Sequence, residues 1–262
     1  MLYFLKLGGS LITHKDQPFS AQFDVIERLG SEIKSALDND PQLHLVIGHG
    51  SGSFGHIAAK KFNTRNGVQT NIQWEGFLEV WRAARDLNNI VIQIFTEKKI
   101  PVITFTPSSS VISTKKRVSQ WSIAPILCAL NNNLIPVVYG DVVFDAEIGG
   151  SILSTEEIFL YLSHELQPNK ILIAGMEKGV WADYPNRSKL LSSILANSDT
   201  SLEGLEGSQS PDVTGGMVEK VRILSELVIT NPSCDAMVFS GIEPGNVFNA
   251  LKGDKLGTII HV

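Results

Sequence analysis

Short apolar runs alternate with amphipathic ones along the whole chain. Residues 2–7 and 43–47 are continuous apolar stretches and read as buried strands. Between them, apolar residues at helical spacing predict a helix from a Ser20 cap to about Ala36. A short helix from Ser53 carries His56, and residues 74–98 form a long helical segment. Three more helices are expected over 123–130, 155–163 and 217–229. Strands are expected over 101–106, 135–139, 170–174 and 236–240, the first opening on an edge-compatible proline. Strands separated by helices imply right-handed crossovers and a mainly parallel sheet with helices on both faces. Ligands then sit at the carboxyl ends of the strands. Residues 107–119 lack periodicity and are expected to lie over that site. Residues 192–210, rich in Ser, Glu and Gly, read as a surface loop.

The chain has 262 residues, enough for one large α/β domain, and its 43% of apolar residues can build a substantial core. The net charge of −5 leaves no domain-wide basic face, so nucleic acid is not an expected partner. Cys128 and Cys234 are not in a CxxC pair and are expected to be buried, reduced thiols of a cytoplasmic protein. Residues 1–5 are apolar, but Lys6 and two glycines follow at once, too soon for a signal peptide or membrane span.

The chemistry concentrates in glycine-rich turns. Residues 6–10 (KLGGS) close the first strand, and residues 48–56 (GHGSGSFGH) close the second. Runs of peptide N–H groups with few side chains in the way bind anions. Two such turns in the first 60 residues suggest two phosphate-bearing ligands meeting between them, the geometry of phosphoryl transfer. Lys6 can reach a phosphate cradled there, although a strand ending in a charge before a tight turn accounts for the same residues. The spacing is not that of a Walker A loop. Lys15 is placed so that its loop can fold back over the same anion. His56 can donate a charge-assisted hydrogen bond to a phosphate, whose second pKa of about 6 lies near that of imidazole. Residues 212–220 (DVTGGMVEK) open the last long helix with a Thr214 cap, and Lys220 can bend back toward an anion at that start. Glu156 and Glu157 at another helix start read as dipole partners or caps, or as carboxylates that aim Lys6 and Lys220. Phe77, Trp81 and Ala84 have helical spacing and are either core or the lining of an apolar pocket.

Taken together, these residues resemble the amino acid kinase superfamily and, within it, the isopentenyl phosphate kinases. The matching stretches are residues 6–15, 49–56, Leu87 with Asn88, 140–142, 152–156, 212–217 with Lys220, and 257–259. The SFGH run ending at His56 discriminates among relatives. The resemblance implies an open αβα sandwich forming a single domain, with an acceptor-binding half of about 1–165 and a nucleotide-binding half of about 166–262. It implies ATP as donor, Mg²⁺ as cofactor with no protein metal ligands assigned, a small-molecule phosphate as acceptor, and a homodimer. Lys6, Lys15 and Lys220 would neutralise the transferring group, with Glu156 aiming the lysines. Gly50 and His56, with an amide of Gly149 or Gly150, would hold the acceptor phosphate beside Phe77 and Trp81. Gly8, Gly9, Ser10, Ser51 and Gly216 would approach the ATP phosphates, and Gly175, Gly179 and Asp183 the adenosine half. The chain departs from the family pattern at Ser51, at Glu156 in place of aspartate, and over 175–181.

The competing expectations are a fosfomycin-type kinase acting on a small phosphonate, and a non-catalytic nucleotide sensor of the same fold.

Overall fold

The structure is a computed structural model that describes residues 1–14, 16–197 and 216–262. Its spine is an eight-stranded sheet. At its centre lies β1 (Leu2–Leu7), flanked on one side by β2 (His44–His49) and then by β6 (Ile135–Tyr139) and the edge strand β3 (Val102–Thr104). On the other side follow β9 (Lys170–Gly175), β11 (Asp235–Ser240), β12 (Thr258–His261) and β10 (Ser193–Leu195). Every pairing is parallel except β11 with β12. The chain runs outward from β1 on one side, then returns to its other side at β9. That reversal makes the carboxyl end of β1 the switch point where a doubly wound sheet holds its ligands.

Strand alternation divides the core. Tyr3, Leu5 and Leu7 share one apolar cluster with α2 (Phe23–Asn39), α4 (Asn71–Glu97) and α9 (Asn246–Lys252). Phe4 points the other way, into a cluster with α6 (Ala124–Asn131), α7 (Thr155–Leu166) and α8 (Gly216–Thr230). Helices therefore cover both faces, the αβα arrangement expected. The same period of two sends Lys6 to the α7 side. Gly48 exists to admit that helix: a Cβ there would come within 2.7 Å of the Phe159 ring.

A second sheet, ordered β5-β4-β7-β8, was not legible in the apolar runs. It consists of β4 (Ile112–Thr114), β5 (Arg117–Gln120), β7 (Asp141–Asp145) and β8 (Gly149–Leu153). The aperiodic segment 107–119 thus resolves into a short helix, α5 (Pro107–Ser110), and a β4–β5 hairpin. Its strands are too short for alternation to register. Asp145 fastens both turns of this sheet, accepting from Ser113 Oγ at 2.8 Å and from the amides of Lys116, Glu147 and Ile148. Burial pushes its carboxyl up, but these donors outweigh burial and hold it at about 2.

Other expectations are corrected. Ser20 does not cap α2; Gln22 is the cap residue, and Ser20 Oγ faces Gln17. The long helix starts three residues early, at Asn71, because Thr70 and Gln73 form a capping box. Residues 193–195 are a strand rather than loop, paired to the edge of the main sheet. Cys128 is exposed on α6, while Cys234 is buried; both are free thiols. Lys15, Asp212, Thr214 and most of the 192–210 segment lie outside the described residues.

Candidate active site

The first and second glycine turns touch. A Cβ on Gly9 would lie 2.5 Å from Gly52 N, and one on Gly50 would lie 2.9 Å from Gly9 N. Both residues must be glycine for the two backbones to meet. Gly52 also has φ +49, the left-handed region that favours glycine. The short helix α1 (Gly9–Ile12) opens at the first turn, and α3 (Gly52–Phe62) at the second.

The amides at this junction fall into two groups. Gly8 N donates to Ala174 O at 2.8 Å, and Gly50 N to Leu7 O at 3.1 Å. These two hold the turns to the sheet. Among the described residues, the amides of Gly9, Ser10, Ser51 and Gly52 make no hydrogen bond. They are the N–H groups open to a ligand at this junction, and Gly52 was not foreseen from sequence. Gly150 N is likewise engaged, with Ile148 O at 3.0 Å.

Lys6 is 6% exposed and Glu156 is 3% exposed, and the two form a buried ion pair. The two glutamates of the α7 start have separate jobs. Glu157 forms a capping box with Ser154, while Glu156 turns inward to Lys6. Burial alone would push the Glu156 carboxyl up; the Lys6 ammonium against it, with Lys220 adding to the field, holds it below the usual carboxylate range. Lys220 lies half-buried in α8, so this charge cluster joins β1, α7 and α8. Its extra methylene relative to aspartate does not keep Glu156 from the lysine.

His56 is half-buried on α3. Beside that helix lies a small apolar cluster of Ala58, Ala59, Val68, Phe77, Val80, Val142 and Ile152, with Trp74 and Trp81 packed against it. A Cβ on Gly150 would meet the Phe77 ring at 3.0 Å, so the second sheet closes down on α4 there. Phe77 and Trp81 therefore pack with Ala58 and Ala59 of α3, the helix that carries His56.

Beneath the junction, His49 is fully buried and stacked on Tyr139. Its Nε2 donates to Asn88 Oδ1 at 3.2 Å, and Asn88 Nδ2 to Thr104 Oγ1 at 3.1 Å. Burial keeps the ring neutral by pushing its pKa down. Thr155 Oγ1 and Gly140 N both donate to His49 O, at 2.7 and 3.1 Å, tying β2, β6 and α7 at one point. Asp141 follows, fully buried, accepting from Val142 N at 2.8 Å and Ser108 N at 3.2 Å.

Burial raises the Asp141 carboxyl to about 7. A raised folded pKa gives stability that is complete below the unfolded value near 4 and is lost as pH rises through 7. Urea unfolding should show the wild type losing about 2 kcal/mol relative to Asp141→Asn between pH 5.5 and 8.5. Equal pH slopes for the two proteins would place the ionisation elsewhere.

At the far side of β1, Gly175 ends β9 with open space where a Cβ would stand. Gly179 abuts Thr258, whose hydroxyl receives Val180 N at 2.8 Å. The Asp183 carboxylate is engaged in a turn, accepting from Ser188 Oγ at 2.5 Å and Lys189 N at 3.0 Å. It organises the 183–189 turn.

The amino acid kinase family model matches residues 1–240. The chain belongs to that family. It is 38% identical to the isopentenyl phosphate kinase of Methanocaldococcus jannaschii, over 99% of this chain and 98% of the relative. Identity to the isopentenyl phosphate kinase of Methanothermobacter thermautotrophicus is 32%, over 97% of each chain. Among solved structures, one described as X-ray structures of isopentenyl phosphate kinase superposes with a TM-score of 0.85 at 29% identity, covering 99% of this chain and 100% of that one. The protein is thus a kinase with a mainly parallel sheet. No described helix is long and apolar enough to cross a membrane.

Proposed function

We propose that this protein transfers the γ-phosphoryl group of ATP to isopentenyl phosphate, giving ADP and isopentenyl diphosphate. The observation that carries the reading is the direct contact of two glycine turns, both with amides that make no hydrogen bond among the described residues, beside the buried Lys6–Glu156 pair. The acceptor oxygen is already anionic near neutral pH, so no general base is needed. The task is to bring two polyanions together in line and offset their repulsion.

Lys6, Lys220 and Lys15 supply that charge, and Glu156 keeps Lys6 aimed rather than wandering. Gly9, Ser10, Ser51, Gly52 and Gly216 approach the ATP phosphates, and Gly175 opens the space for the adenosine half. Gly50 shapes the acceptor turn, His56 binds the acceptor phosphate, and Phe77 with Trp81 shelters the five-carbon chain. Burying that chain is worth roughly 0.8 kcal/mol per methylene. Among the described residues no cluster of three or more His, Cys, Asp or Glu side chains is arranged to hold a metal. Following the family resemblance, Mg²⁺ would be carried on the nucleotide phosphates, where it would neutralise charge on the transferring group. Following the family resemblance, we place residues 1–165 on the acceptor side and 166–262 on the nucleotide side of a cytoplasmic homodimer.

The test is acceptor-dependent ADP release, comparing isopentenyl phosphate with fosfomycin. Isopentenyl phosphate should be turned over efficiently and fosfomycin poorly; the reverse order would make the protein the phosphonate kinase. In the same assay His56→Ala should raise the KM for the acceptor about 10²-fold and that for ATP by less than about threefold, a charge-assisted phosphate contact being worth ~1.5–3 kcal/mol. Equal effects on both KM values would remove His56 from the acceptor site.

A further inference from the structure

We infer that Thr13 is a positioning residue that holds the two glycine turns in register for phosphoryl transfer. This rests on the kinase reading above and goes beyond the residues it uses. Thr13 is 1% exposed, and its single hydroxyl bridges the two turns. Oγ1 donates to Gly9 O at 2.8 Å and accepts from Ser53 N at 3.0 Å. The first bond ends on the turn that carries the free Gly9 and Ser10 amides. The second ends on the opening turn of α3, which has no side-chain cap of its own. Thr13 thus supplies the missing cap from the neighbouring loop. Its side chain also fills the space where a Gly52 Cβ would go, so the glycine and the threonine are fitted to each other.

The backbone around Thr13 is equally restrained. It pairs with Ala21 in an isolated antiparallel bridge, and its carbonyl receives Gln22 Nε2 at 2.9 Å. Gln22 Nε2 also reaches Leu11 O at 3.2 Å, Gln22 N donates to Ile12 O at 2.9 Å, and His14 N to Ser20 O at 2.9 Å. The hydroxyl is therefore a fixed point on a closed neck. It sets the distance between the first turn, with its Gly9 and Ser10 amides, and the second turn, which leads into α3 and His56. ATP keeps Lys6, Lys220 and the first-turn amides, and the acceptor keeps His56, whether or not the turns are joined, so the bridge governs alignment more than either affinity alone.

The test uses Thr13→Val, which keeps the shape and removes the hydroxyl, and Thr13→Ser, which keeps the hydroxyl. With Thr13→Val, kcat at saturation should fall about 10²-fold, the cost of roughly an ångström of misalignment. The Kd values for ATP alone and isopentenyl phosphate alone should stay within about threefold, and Thr13→Ser should recover most of kcat. Amide hydrogen exchange at Ser53 should quicken in Thr13→Val and not in Thr13→Ser, which reads the bridge without turnover. Wild-type kcat in Thr13→Val, failure of Thr13→Ser to rescue, or loss of either binary affinity in step with kcat would each overturn the positioning role alone. A wild type that turns over no phosphate acceptor would overturn the kinase reading and the positioning role with it.

Discussion

Lys6→Met should lower kcat by about 10³-fold, and it should also cost ~3–5 kcal/mol of stability by leaving a buried carboxylate without its main partner. Both effects follow from the same pair. Glu156 is 3% exposed, and its Oε1 has no hydrogen-bond partner among the described residues, so it depends on the cations beside it. Lys220 remains in the variant but is the weaker of the two influences on that carboxyl. The double variant Lys6→Met/Glu156→Met separates the effects. Replacing both members of a buried pair with apolar residues of similar volume is often close to neutral for folding. Unfolding midpoints should therefore return toward wild type while ADP release stays as slow as in Lys6→Met. Recovery of activity along with stability would make Lys6 a structural residue and remove the ammonium from the reaction.

Gly9→Ala is expected to reduce kcat/KM by about 10²-fold or more, because the new methyl must push the two turns apart. The clash is with backbone: Gly52 N at 2.5 Å, Gly52 Cα at 2.7 Å and Gly50 C at 3.2 Å. No side chain can swing away to relieve it. The sheet below is untouched, since the bonds that anchor the turns to it belong to Gly8 and Gly50. The far-ultraviolet circular dichroism spectrum should therefore match wild type, and the loss should appear in steady-state kinetics with both substrates varied. Activity within about threefold of wild type would mean that the turns tolerate separation, and the alignment argument would fail with it.

The apolar runs were enough to place most strands of the main sheet, because a buried parallel strand has a continuous apolar signature that survives without its neighbours. The glycine turns were legible because runs of residues without side chains at strand ends leave peptide N–H groups bare, a local property of the chain. From these the class, the carboxyl-end site and the roles of Lys6 and His56 could be stated as expectations. The second sheet was hidden, since Ile112–Thr114 and Arg117–Gln120 are too short to show a period and take their order from pairing with β7. The Ser20 cap failed because a cap is decided by where the chain enters the helix, and Gln22 is held there by Leu11 and Thr13.

The chemical details divide along the same line. Sequence placed Glu156 and Glu157 side by side at a helix start, where dipole and capping arguments apply equally to both. Only packing decided that Glu157 serves the helix and Glu156 the lysine, since that depends on which face of α7 lies over β1. Thr13, His49 and Asp141 lie inside the matching stretches, but sequence assigned them no role of their own, since each acts through partners distant in sequence. The order of residues thus determined which elements form and where bare amides gather, both local properties of the chain. Which amides stay free, which carboxylate meets which ammonium, and how far apart the two turns stand were decided by tertiary contact, because those quantities exist only between segments.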